Sequence, residues 1–362
     1  MQTRVSTTIR GLRAGAAPGL GAAALALLVI PASAAAQEAE TYRLSGQELA
    51  VYNLAGAVEV VRGSGDQAVV EVRRGGSDAA RLSVEVGPVD GREALRVLYP
   101  SERVVYAAGQ GRSRTRVRVR DDGTFSDGRG GGDRVEVSTF GSGLEAHADL
   151  LVRVPEGRDL SVYLAVGETR AEGVSGRLRI DTGSGRVTTR STSGSLEVDT
   201  GSGSVEVRGA RGDVEVDTGS GSVEVTDVTG TRLGVDTGSG SVRGDAIEVE
   251  RLDVDTGSGR IDLGRVRARE ILLDTGSGSV SLELESDVDD LEVDTGSGSV
   301  DLWVPAELGA RLEVDTGSGG IEIDVPVRIR TARRDHLEGV LGDGRGEIRI
   351  DTGSGSVEIR AR

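Results

Sequence analysis

The chain has 362 residues, with 43 Arg and no Lys set against 59 acidic residues, and it contains no cysteine. This balance excludes a nucleic-acid groove, which needs clustered positive charge, and it is unsuited to an anionic membrane surface. The missing cysteine excludes disulfide staples, thiolate metal sites and a lipid-modified N-terminal cysteine, while 2% aromatic content speaks against a sugar cleft built on stacked rings.

Residues 1–36 read as a secretory signal peptide. Arg4, Arg10 and Arg13 form a basic segment, Leu20 to Ile30 a short apolar one, and Ala34 and Ala36 supply the small-residue pair at which cleavage is expected after Ala36. The apolar run is too short to span a bilayer. A retained anchor is the alternative reading; the expected outcome is export to the periplasm, cell surface or medium, with no membrane insertion once the signal is cleaved. Without its three signal arginines the chain carries 40 Arg against 59 acids, a net charge of −19.

Residues 37–175 are β-rich but irregular, and are expected to cap a repeat array or to form its early rungs. Alternating apolar residues mark strands around Val51 to Val60, Ala68 to Arg73, Arg81 to Val86, Ala94 to Tyr99 and Asp149 to Val154. A Gly/Arg-rich segment at 109–132 interrupts them. There Arg112, Arg114, Arg116, Arg118 and Arg120 alternate with polar residues and Val, predicting a protruding hairpin or mobile loop. It is the one basic patch of an acidic chain, with another protomer's acidic face as a conceivable partner. The region carries 22 acids and 18 Arg up to residue 176, and the remainder 37 and 22.

Residues 176–362 are governed by repetition. Asp-Thr-Gly-Ser-Gly begins at Asp181, Asp199, Asp217, Asp236, Asp255, Asp274, Asp294, Asp315 and Asp351, at spacings of 18 to 21 residues and a final gap of 36. That gap, twice 18, suggests one degenerate repeat around Ile329 to Gly342. Each copy has an aliphatic residue three before the Asp, one before it and six after it, as in Leu196, Val198 and Val205. The pattern reads as strand, Gly-Ser-Gly turn, strand and variable connection. A unit this short cannot bury its own apolar face, so successive units must stack. The expected fold is all-β: a single-stranded, right-handed β-solenoid (β-helix) with rungs of about 18–21 residues at the usual inter-strand spacing of about 4.8 Å. A β-sandwich explains the turns but not side chains recurring at one register.

Strand parity turns Leu, Val and Thr inward and each Asp outward beside its turn. The glycines supply positive φ or close chain approach. The outward Asp column has two readings. In the structural one, each carboxylate accepts hydrogen bonds from the Gly and Ser amides of its own turn. In the other, the nine Asp residues form a Ca²⁺ ladder with carboxylates shared between rungs, although the Gly-Gly-x-Gly-x-Asp pattern of calcium nonapeptides is absent. Between the two apolar residues of the second strand lie Thr188, Glu206, Glu224, Arg243, Asp262, Ser281, Asp301, Glu322 and Glu358, which are expected to join the Asp column in one acidic face. The chain end, with Arg360 and Arg362, is expected to protect an exposed edge.

Asp-Thr-Gly-Ser also occurs at aspartic-protease centres, and the copy at Asp294 runs on to Leu302, Trp303, Val304 and Pro305. That reading fails, because such a site pairs two Asp residues from two lobes in a buried cleft, whereas nine copies here stack on the outside of a rod. His147 and His336 stand far apart as ordinary surface or loop residues, so neither a metal centre nor a Ser-His-Asp triad is indicated. The Gly-Ser-Gly corners precede no helix and lack the Lys of a phosphate loop. No catalytic or cofactor-binding residue stands out.

Tyr52-Asn53-Leu54-Ala55-Gly56-Ala57-Val58, Val152-Arg153-Val154-Pro155-Glu156-Gly157 and the reiterated Asp-Thr-Gly-Ser-Gly-Ser-Val give the mature chain a further likeness. It resembles the DUF4097-type adhesin family of bacterial β-strand repeat proteins over nearly its whole length. The resemblance implies a repeated β fold and names no functional residue. The expected role is an exported, non-enzymatic scaffold that binds a macromolecule, protein or glycan, along its surface. The alternative is a β-helix enzyme cleaving or eliminating polysaccharide.

Overall fold

The computed structural model describes residues 39–107, 109 and 112–362. The signal-peptide reading of 1–36 falls outside the described residues. The rest is all-β, built on two long sheets of fifteen and fourteen strands and a small sheet of four.

The repeat becomes structure as its spacing dictates. The Leu-x-Val-Asp-Thr segment of every copy lies in the fifteen-stranded sheet, hereafter the aspartate sheet, and the Val-x-Val segment in the fourteen-stranded valine sheet. Successive copies pair parallel and in register: Leu196 on Val214, Asp199 on Asp217, Thr200 on Thr218, and Val205 on Val223. Leu196, Val198, Val205 and Val207 point into one continuous apolar core with their aliphatic counterparts in the other rungs, Thr189 and Gly244 alone among the described copies replacing the last of the four. A slip of one residue would turn this whole set to water, so the core enforces the register. This is the expected β-solenoid.

At the Gly-Ser-Gly corner the glycines are needed for close approach. A Cβ on Gly259 would lie 1.8 Å from the Gly240 carbonyl oxygen of the preceding rung, and one on Gly240 equally close to that of Gly221. Ten residues after the Asp the chain bends again with positive φ, and non-glycines accept it: Ser191, Asp227, Ala246 and Arg265 have φ of 52° to 55°.

The distal end departs from chain order. The last rung, Gly346–Thr352 and Val357–Ala361, inserts between the rung of Asp294 and that of Asp315. The 36-residue gap therefore hides no rung. Ile329 to Gly342 falls instead in an antiparallel hairpin, Val327–Ala332 with His336–Leu341, laid against Ala310–Thr316. Nor do Arg360 and Arg362 guard an edge. Their strand is paired on both sides, the Arg360 guanidinium lies 5.9 Å from the Trp303 ring, and Arg362 bonds Glu283 and Glu285.

At the proximal end the first rung, Glu48–Ala55 and Val58–Arg62, pairs directly with Asp159–Val166 and Thr169–Glu172. The excursion between them builds two things. One is a pair of strands, Ala68–Gly75 and Ser83–Val89, which with Glu40–Leu44 from before the first rung make antiparallel additions at the ends of the two sheets. The other is the four-stranded sheet Arg103–Val105, Arg114–Val119, Asp133–Ser138 and Leu144–Glu145. That sheet closes a second core over the outer face of the aspartate sheet, around Tyr52, Leu54, Phe125, Val137 and Tyr163.

Candidate binding face

Register places the nine aspartates in one unbroken column. In space the order is Asp181, Asp199, Asp217, Asp236, Asp255, Asp274, Asp294, Asp351, Asp315. Beyond Asp181 the column continues as Tyr163 and then Tyr52, whose rings stack at 4.5 Å and 9° beneath the small sheet. Beyond Asp315 it ends at His336 on the distal hairpin, whose Nδ1 lies 2.7 Å from the Asp315 carboxylate. His336 thus caps the ladder and is no ordinary surface residue. His147 lies on the strand His147–Val154, its ring 5.0 Å from that of Tyr106.

The corner is held by Thr and not by Asp. Thr256 Oγ1 donates to the Gly240 carbonyl of the neighbouring rung at 3.0 Å and accepts from the Gly259 N–H at 2.9 Å. Thr218, Thr237, Thr275, Thr295 and Thr352 repeat both bonds. Among the described residues no turn amide reaches a ladder carboxylate, which corrects the expected Asx-type corner. The hydroxyl wins because strand parity buries it at the corner, whereas the Asp one residue earlier points away.

Eight of the nine carboxylates, all but Asp315, therefore make no hydrogen bond or ion pair among the described residues. Their neighbours do. Two to four residues before the ladder, Arg232 bridges Glu215 and Asp253 at 3.7 and 3.2 Å, and Arg251 bridges Asp253 and Glu270 at 2.9 and 3.0 Å. On the valine sheet Glu206 and Glu224 are paired with Arg208 at 2.8 and 3.2 Å. That sheet lies across the core from the ladder, so the two acidic columns do not merge into one face as expected.

Bare carboxylates about 4.8 Å apart repel by roughly 1 kcal/mol per neighbouring pair before salt screening. The ladder shows it: Asp217, Asp274 and Asp351 have raised pKa values, first through partial burial and then through the carboxylates on either side. Asp181 is pushed up to about 7, mainly by burial beside the small sheet and secondarily by Asp199. Calcium takes six to eight oxygens; the ladder offers one carboxylate per rung, and no three Asp, Glu or His side chains converge as metal ligands among the described residues. Asp294 lies in the column between Asp274 and Asp351, with Trp303 across the core on the valine sheet.

The small sheet contributes what sequence reasoning did not see. Tyr52 Oη donates to Asp127 at 3.1 Å, and Asp127, its side chain wholly buried, is gripped by Arg120 and Arg129. Burial alone would raise the pKa of Asp127, but hydrogen bonds from Arg129 and Arg120 outweigh it and hold the group below its ordinary value. Arg120 is thereby taken out of the basic patch. Arg112, Arg114, Arg116 and Arg118 remain exposed.

A solved structure of a proposed cell adhesion protein from Clostridium sporogenes ATCC 15579 aligns at 9% identity over 90% of this chain and all of its own. Its TM-score of 0.17 is too low to carry an argument. No curated protein matches. The repeat itself is the stronger link: residues 140–360, running from the last strand of the small sheet through every ladder rung, match the family described as Toastrack DUF4097. With more than half its length matched, the chain belongs to the DUF4097 (Toastrack) family.

Proposed function

We propose that the chain is an exported, non-enzymatic β-solenoid scaffold that binds a macromolecular partner along its aspartate ladder. One observation carries the reading: eight in-register carboxylates do nothing for the corner and have no cation of their own, while the acids beside them are cross-linked by arginine. Repeating an uncompensated charge on consecutive rungs costs stability, and a partner bearing cationic groups offsets that cost when bound. The reading of residues 1–36 as an export signal supports this, since export would put such a face where an external partner can meet it.

The test replaces Asp217, Asp236 and Asp255 with Asn in residues 37–362 and measures binding of the labelled protein to cells of its source and to an oligoarginine peptide. The triple variant should melt no lower than the parent, because repulsion is relieved. Its binding should weaken about tenfold or more. Unchanged binding to both targets overturns the reading.

A further inference from the structure

We propose that the arginine hairpin of the small sheet is a separate binding strip for an anionic polysaccharide, one carrying sulfate or carboxylate groups. The inference is independent of the ladder, whose charge is opposite.

The strip is built by the antiparallel pair Arg114–Val119 and Asp133–Ser138. Alternation puts Thr115, Val117 and Val119 on one side of the first strand. Thr115 bonds Ser184 of the solenoid at 3.0 Å, and Val117 and Val119 pack against the second core. Arg114, Arg116 and Arg118 therefore face away from the body as a row of guanidinium groups about 6.8 Å apart, two residues of strand each. Arg112 extends the row, its guanidinium 4.1 Å from the Phe140 ring.

Within the row the charge is not balanced locally. Glu136 answers Arg114 and Arg116 at 3.4 and 3.2 Å. Arg118 lies directly across the strand pair from Arg134, and among the described residues neither has an acidic partner. Like charges directly opposite are unfavourable in a sheet. Arg116, Arg118 and Arg134 line one recess of about 230 Å³ over Val117. Three forked donors around one recess fit an oxyanion, which they bind through paired N–H groups.

A charged edge strand by itself only deters sheet pairing, but Arg134 is on the interior strand and serves no such purpose. The ladder of a second copy is the rival occupant. It is disfavoured because the small sheet stands on the ladder side of the molecule. Docking there would bring two regions with 37 acids against 22 arginines each into opposition. Single-stranded nucleic acid wants exposed aromatic platforms for its bases, and the ring nearest the row, Phe140, is covered by Arg112 and Arg114. A slender glycan whose anionic groups are spaced along its length meets neither objection.

The experiment titrates residues 37–362 with low-mass dextran sulfate, polygalacturonate and neutral dextran by calorimetry, alongside sedimentation at low and high salt. Saturable binding of one or both charged glycans is expected, with none of neutral dextran. The arm that binds distinguishes sulfate from carboxylate as the recognised group. Affinity should fall about tenfold or more with added salt and be lost in Arg116→Ser/Arg118→Ser/Arg134→Ser. The Arg→Lys triple variant should keep part of it. Circular dichroism and melting establish that each variant is folded. Absence of binding to both charged glycans overturns the proposal, as does binding that survives in the folded Arg→Ser variant. Salt-sensitive self-association abolished by the same Arg→Ser changes, without glycan binding, overturns it in favour of a second copy.

Discussion

At six of the nine corners, those of Thr218, Thr237, Thr256, Thr275, Thr295 and Thr352, two adjacent side chains divide the labour. The inward Thr closes the turn and ties it to the neighbouring rung; the outward Asp does neither. This assigns opposite consequences to conservative changes. Thr256 is fully buried, with a partner on each side. Thr256→Val leaves an N–H and a carbonyl without partners in the core and should cost about 1–3 kcal/mol. Thr200 occupies the same position one rung before the bonds begin, and its hydroxyl has no partner among the described residues. Thr200→Val removes a buried, unsatisfied hydroxyl and should be neutral or stabilising. Paired urea melts of the two variants check this; equal losses would show that the hydroxyl bonds do not hold the corner. The inward direction of Thr follows from alternation alone. That Thr displaces Asp as the corner's acceptor does not, because both have turn-capping side chains and only the stacked backbone shows which one is aimed at the amide.

At the scale of strands and rungs, a repeat is legible in proportion to its regularity. Identical flanks at one register dictated parallel stacking, and the Leu-x-Val-Asp-Thr parity dictated the core. The order of the last rungs was not legible, because every copy carries the same pairing surface and the sequence alone cannot say which neighbour it takes. The lobe over the first rungs left a signal that alternation obscured. Glu48–Ala55 and Asp159–Val166 bury both faces, as residues of both parities show: Leu49, Ala50, Val51, Tyr52 in one strand and Val162, Tyr163, Leu164, Ala165 in the other. Continuous apolar runs of this kind mark strands covered on both sides. The inserted rung has a consequence for stability. Removing residues 346–362 exposes facing edges in both sheets and leaves the Asp315 rung and its hairpin without a parallel neighbour. Limited proteolysis of such a truncation should cut readily between residues 305 and 345 while the rungs up to 304 resist. Resistance throughout would mean that the distal rung simply closes onto the rung of Asp294.

At the scale of the molecule the ladder couples stability to proton concentration. Asp181, with a pKa of about 7 against an ordinary 3.8, binds a proton more tightly folded than unfolded. Its neutral form contributes stability fully below about pH 4, and that contribution fades as pH rises toward 7. Asp217, Asp274 and Asp351 shift in the same direction. His336 acts with the same sign, because its hydrogen bond to Asp315 raises its pKa; the capped end is strongest while the ring is protonated and weakens as pH rises through its folded value. Arginine-paired acids such as Glu285, Asp245 and Asp127 have lowered values. They lose their contribution only on acidification below about pH 4. The two sets together predict a melting temperature that peaks near pH 5 and declines toward pH 8, as scanning calorimetry across that range would record. Asp181→Asn should flatten the decline, since an amide cannot ionise, and His336→Gln should remove the part due to the cap. A profile flat from pH 5 to 8 in the parent would mean that solvent and counterions already neutralise the column. The same proton uptake would thin the anionic face as pH falls, so a cationic partner bound at neutral pH is held less tightly in acid while the rod that carries the face grows firmer.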